Sequence, residues 1–178
     1  PYLNHDWNKA GEFVAYVRDR AGLLIRHKPD AYTFPHRTFQ EFMAACHLVN
    51  MPDYTLEVTR LLAGAPDRWR IVFILSAGYA ARTHRLGLAI AAVSALCPEG
   101  VGETECAGPA GYRLAVIAGE ALLEIGLVGV KRETIGKALL LRIRKWLTAA
   151  MQADKAIEPK ERVEAGRSEE RRVGEACR

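Results

Sequence analysis

Between Asp53 and Ala153 the apolar residues never settle into the period-two alternation of a half-buried strand. They recur at helical spacing, and this feature restricts most of the chain to helix packed on helix. The spacing predicts helices over residues 54–63, 68–82, 86–96, 110–125 and 132–153, with Asp53 and Asp67 as N-caps. The linkers between them are short, which predicts antiparallel neighbours. Residues 97–109, "CPEGVGETECAGP", hold most of the loop signals and are expected at the surface.

Two of these segments, "AIAAVSAL" and "VIAGEALLEIG", are rich in small apolar residues that let helices approach closely. That composition suits a HEAT-like repeat stack, although no fixed period runs through it. An antiparallel helical array over residues 53–165 is therefore expected.

The first fifty residues follow different rules. Asp6 can cap a helix in which Trp7, Ala10, Phe13, Val14 and Val17 share a face. Arg18 and Arg20 suit the negative end of its dipole, and Gly22 can take a left-handed stop. Residues 23–25 read as a short strand, Lys28-Pro29-Asp30-Ala31 as a turn, and residues 31–34 as the returning strand. One β-hairpin over 22–35 results. Thr38 and Glu41 then have capping-box spacing, Phe39, Phe42, Met43 and Cys46 form an apolar stripe, and Pro52 lies beyond the helix end. Helix, hairpin, helix is the order in which a winged-helix module ends. The expected fold is thus mainly α: a partial winged helix with one hairpin over 1–50, then the helical array.

Bulk properties exclude several classes. The 178 residues are 49% hydrophobic and 26% charged, as in ordinary soluble globular proteins, and the net charge is only +4. The longest apolar stretches, 71–81 and 86–97, fall well short of the roughly 20 residues that cross a bilayer. No membrane association is expected. Residues 1–10 carry Asn4, His5, Asp6 and Lys9 where a secretory leader would be apolar. The four cysteines, Cys46, Cys97, Cys106 and Cys177, show no C-x-x-C spacing and read as free thiols in a cytoplasmic protein. A chain opening on Pro1 reads as a fragment or a processed product.

Catalytic motifs are missing. No phosphate-binding G-x-x-x-x-G-K-[ST] occurs, since Gly136-Lys137 has neither the upstream glycine nor the following hydroxyl. No G-x-S-x-G, H-E-x-x-H or calcium loop is present, so no catalytic residue and no metal ligand is assigned. His84 and Arg85 read as an exposed turn, and Glu120 and Glu124 as a solvated helix face. Arg142, Arg144 and Lys145 are expected to face water while Leu139, Leu140, Ile143, Trp146 and Leu147 face a core. The helix over 39–49 offers a DNA groove Glu41, Phe42, Met43 and Cys46, with only Arg37 basic at its start, so nucleic acid is not an expected partner.

Residues 13–48 carry two linked motifs. "R-x-G-L-L" stands as Arg20-Ala21-Gly22-Leu23-Leu24, and "F-x-H-x-T-F-Q-E-F-x-A-A" runs from Phe34 through His36 to Ala45. Together, over about a fifth of the chain, they resemble the winged-helix segment that follows the nucleotide-binding core in NACHT-type STAND signal-transduction NTPases. The resemblance implies that His36 contacts the terminal phosphate of bound ADP and holds a closed state that ATP exchange would release. The alternative for His36 is a cap at the hairpin–helix junction.

The phosphate loop, the acidic residues that hold Mg²⁺ and the sensor arginine would belong to an upstream core acting in cis. ADP or ATP with Mg²⁺ would be a cofactor of the intact parent, and this chain alone is expected not to be an enzyme. Asp67-Arg68-Trp69-Arg70 and Ala121-Leu122-Leu123-Glu124-Ile125-Gly126 resemble the helical region after the module in bacterial members, implying a protein partner there. Oligomerisation of the intact parent is a further implication. Residues 158–166 resemble a linker to a formylglycine-generating-enzyme-like domain, and 166–178 read as a disordered or artefactual tail similar to translated sequencing adapter. The competing reading is a stand-alone helical-repeat interaction module with no nucleotide link.

Overall fold

The computed structural model describes residues 7–19, 24–28, 31–99, 108–152, 163 and 166–167. Asp6, Arg20, Gly22, the Pro29-Asp30 turn, residues 100–107 with Cys106, the 158–162 linker and the tail from 168 with Cys177 lie outside them. Among the described residues the architecture is mainly helical, with one antiparallel hairpin: α1 (Trp7–Asp19), β1 (Ile25–Lys28), β2 (Ala31–Thr33), α2 (Arg37–Val49), α3 (Tyr54–Gly64), α4 (Pro66–Arg82), α5 (Leu86–Leu96), α6 (Pro109–Ile125), α7 (Leu127–Arg132) and α8 (Thr134–Gln152). A partial winged helix followed by a helical array accounts for this order. Two compact units divide between Met43 and Ala44.

In the first unit, β1 pairs Ile25 with Thr33, Arg26 with Tyr32 and Lys28 with Ala31, with an irregularity between Arg26 and Lys28. The strand expected at 23–25 is displaced to 25–28, where the ladder runs on to pair Lys28 with Ala31. Polar Arg26 and Lys28 are tolerated there because a two-stranded ribbon leaves both exposed. None of residues 7–17, 24–26, 28 and 31–43 is buried. Trp7, Phe13 and Tyr16 of α1 are all exposed, as are Phe39, Phe42 and Met43 of α2. The stripe expected on α2 does not face a core. The helix buries Ala45, Leu48 and Val49 instead, one turn further along.

The second unit holds the hydrophobic core. Trp146, Tyr54 and Phe73 are its largest fully buried side chains. Each helix packs on its successor from α3 to α8, and α3–α5, α4–α6, α5–α7 and α6–α8 also pack as next-but-one neighbours. That connectivity is how a stacked array buries a continuous core. Leu139, Leu140, Ile143, Trp146 and Leu147 are all buried on α8, as its periodicity predicts.

Among the described residues, two of the three expected caps differ from expectation. The helix begins at Arg37, ahead of Thr38, so Glu41 does not close a capping box and instead accepts from Arg37 Nε at 2.8 Å. Asp53 holds the N-cap position of α3 through its carbonyl, which accepts from Glu57 N at 2.9 Å, without a side-chain bond. Pro66 starts α4 at the position where a missing N–H costs nothing, which moves Asp67 into the first turn. Gly126, at φ 93°, ends α6 and opens the short α7, so two helices follow it, α7 unexpected and then the one expected over 132–153. The second of them starts at Thr134. At Gly136 a side-chain Cβ would lie 2.1 Å from the Val130 carbonyl oxygen, so only glycine lets α8 approach α7 this closely.

Candidate functional site

Pro35 and His36 form the bend between β2 and α2. The His36 carbonyl accepts from Phe39 N at 3.1 Å, which places His36 at the N-cap position of α2. Its side chain is exposed, with its ring 6.1 Å from the Phe39 ring at a 49° tilt. The first turn of α2 contains no acidic residue, and Arg37 follows immediately. The positive end of the helix dipole is therefore not neutralised within that turn. An imidazole N–H beside such a helix end can donate to an anion, and a phosphate is the anion such ends favour.

Residues 6–48 match the family model described as a winged helix-turn-helix domain C-terminal to NACHT. The match supports a NACHT-associated fragment. No curated protein and no solved structure matches the chain. Among the described residues no three His, Cys, Asp or Glu side chains cluster as a metal site, and no helix is long and apolar enough to cross a membrane.

Beyond the NACHT-associated residues, the array holds polar ties absent from the sequence reading. Glu120 and Glu124 are not a solvated face. Arg70 donates to both oxygens of Glu120, at 2.8 and 2.5 Å, and Arg82 pairs with Glu124. Both arginines come from α4 and both carboxylates from α6. Gly78 leaves room for the second pair, since a Cβ there would lie 2.6 Å from Glu124 Cγ. Arg142 is likewise turned inward, bonding Ser94 Oγ and, at 3.3 Å, Glu99. Trp146 Nε1 donates to the Pro98 carbonyl at 3.1 Å, so α8 holds the segment leaving α5. Arg144 and Lys145 remain exposed.

The turn with His84 and Arg85 does more than sit at the surface. Arg85 N donates to Ala80 O at 2.8 Å, closing a Schellman stop on α4 with His84 in the left-handed position at φ 61°. The Arg85 carbonyl accepts from Leu88 N at 3.0 Å and Ala89 N at 3.2 Å, starting α5. Its Nη1 donates to Val49 O and Asn50 Oδ1, each at 3.1 Å, at the end of α2. One residue thus serves three helix ends. A repeat-scale signal for it does not exist in the sequence, because each bond joins a different element.

Two buried groups have shifted titrations. Burial pushes the Tyr54 hydroxyl up to about 12, the Ser76 hydrogen bond opposing. Burial also pushes the Cys97 thiol up to about 12, with Arg142 opposing, so the thiol is protonated and inert near neutrality. Cys46 is partly exposed and is raised by burial as well.

Proposed function

We propose that the chain is the regulatory and scaffold part of a bacterial NACHT-type signalling NTPase. In this reading His36 contacts the nucleotide held by the upstream core, and α3 to α8 bind a protein partner. What supports it is the exposure of the His36 ring at an electropositive helix start, within residues that match the NACHT-associated winged helix. The exposed Phe39, Phe42 and Met43 beside it supply apolar area for packing against that core. ADP and ATP with Mg²⁺ belong to the parent, whose phosphate-binding motifs this chain does not carry. The fragment itself then has no NTPase activity and works in the cytoplasm.

The test joins the upstream core to this chain and compares ADP affinity with and without His36→Ala. Loss of one charge-assisted hydrogen bond weakens binding by roughly tenfold to a hundredfold. Unchanged affinity removes the sensor role.

A second reading is a helical interaction module with no nucleotide link. It is favoured by the concentration, among the described residues, of the buried side chains from Ala45 onward. It predicts partner binding by residues 44–152 alone. A cut at residue 53 is a poorer test, since it removes Ala45, Leu48 and Val49 from the core.

A further inference from the structure

The last four carbonyls of a helix have no partner within it, and α2 satisfies all of its own. Asn50 Nδ2 donates to Cys46 O at 2.7 Å, Asn50 N to His47 O at 3.0 Å and Met51 N to Leu48 O at 3.0 Å. Val49 O, the fourth, receives the Arg85 guanidinium, which also holds Asn50 Oδ1. The cation lies where the negative end of the helix dipole favours it. The same residue ends α4 and begins α5 through its backbone, so the side chain and backbone of Arg85 are fixed from opposite directions.

We propose that Arg85 is a coupling residue: it fastens the end of α2 to the α4–α5 turn, so that a change in α2 is carried into the array. The apolar anchors Ala45, Leu48 and Val49 hold the same half of the helix, but they bury area without direction. A guanidinium bridging two oxygens of fixed position adds the directional restraint. The left-handed His84 gives the turn a single conformation to respond with. The regulatory meaning of this coupling rests on the His36 reading above, since His36 stands at the opposite end of α2.

The experiment uses the full chain without nucleotide, so its failure and the failure of the ADP test are separate events. Met43→Gly weakens the middle of α2 at an exposed side chain, leaving the core untouched. Native-state hydrogen exchange is read at Leu88 and Ala89, whose amides bond the Arg85 carbonyl, and at Ala118 in the core of α6. A mid-helix glycine should speed exchange at Leu88 and Ala89 about fivefold when Arg85 is present. In the Arg85→Met background, which keeps the stem and removes the donors, the same substitution should leave those two amides unchanged. An equal response in both backgrounds overturns the proposal, as does acceleration of Ala118 by the same factor as Leu88. No response at Leu88 and Ala89 while the α2 amides accelerate also overturns it.

Discussion

The buried pair Tyr54 and Ser76 joins α3 to α4, and its bonding directions follow from counting protons. Ser76 Oγ donates to Phe73 O at 2.7 Å, which uses its one hydrogen. The Tyr54 hydroxyl, 2.7 Å from the same Oγ, is then the donor of the second bond. Removing the donor and removing the acceptor are therefore different perturbations. Tyr54→Phe leaves Ser76 bonded and should cost about 0.5–1.5 kcal/mol. Ser76→Ala leaves a phenolic O–H buried without an acceptor and should cost about 1–3 kcal/mol.

The pH dependence of the same pair gives an independent check. The folded-state value of Tyr54 is raised from its ordinary 10 to about 12, chiefly by burial. Its contribution is thus complete below pH 10 and is lost as pH rises towards 12. The wild type should lose on the order of 1 kcal/mol by pH 11 that Tyr54→Phe does not lose. Urea unfolding followed by circular dichroism at pH 9, 10 and 11 measures both effects. A Tyr54→Phe cost above that of Ser76→Ala, or a wild-type-to-Phe difference flat between pH 9 and 11, would refute the assignment.

Gly136→Ala should lower stability by at least about 2 kcal/mol, because its new Cβ meets the Val130 backbone and not a movable side chain; a thermal melt with no shift would contradict the packing of α7 on α8. His84→Gly should stabilise the chain by about 0.5–1 kcal/mol by relieving the left-handed backbone at φ 61°. A loss of stability in urea would mean that the imidazole holds the turn.

The helices were legible wherever one face had to be buried. Residues 54–63 and 86–96 are expected helical, and α3 and α5 run Tyr54–Gly64 and Leu86–Leu96. Periodicity reports burial, and both helices are buried along one side. The cap assignments at Thr38 and Asp67 failed, unlike that at Asp53, because a cap depends on local dihedrals: each is a good capping residue one place inside its helix. The ties between helices were invisible for another reason. Arg70 and Glu120 lie fifty residues apart, and each alone is an ordinary charged residue on an amphipathic helix. The junction at His36 could be read from "TFPHRTF", but its electropositive helix start could not, since that depended on where α2 begins.

The burial pattern of α2 links these observations. From Arg37 to Met43 it has no buried side chain, and from Ala45 to Val49 three residues are buried, two of them large. Burying Leu48 and Val49 contributes about 1.5–3 kcal/mol each, a large part of the 5–15 kcal/mol that typically separates folded from unfolded chains. The array therefore holds Ala45, Leu48 and Val49 firmly, whereas Phe39, Phe42 and Met43 nearer the helix start are exposed. Burial that Phe39 and Met43 gained on any binding event would be a differential free energy of the kind by which a two-state change can be driven.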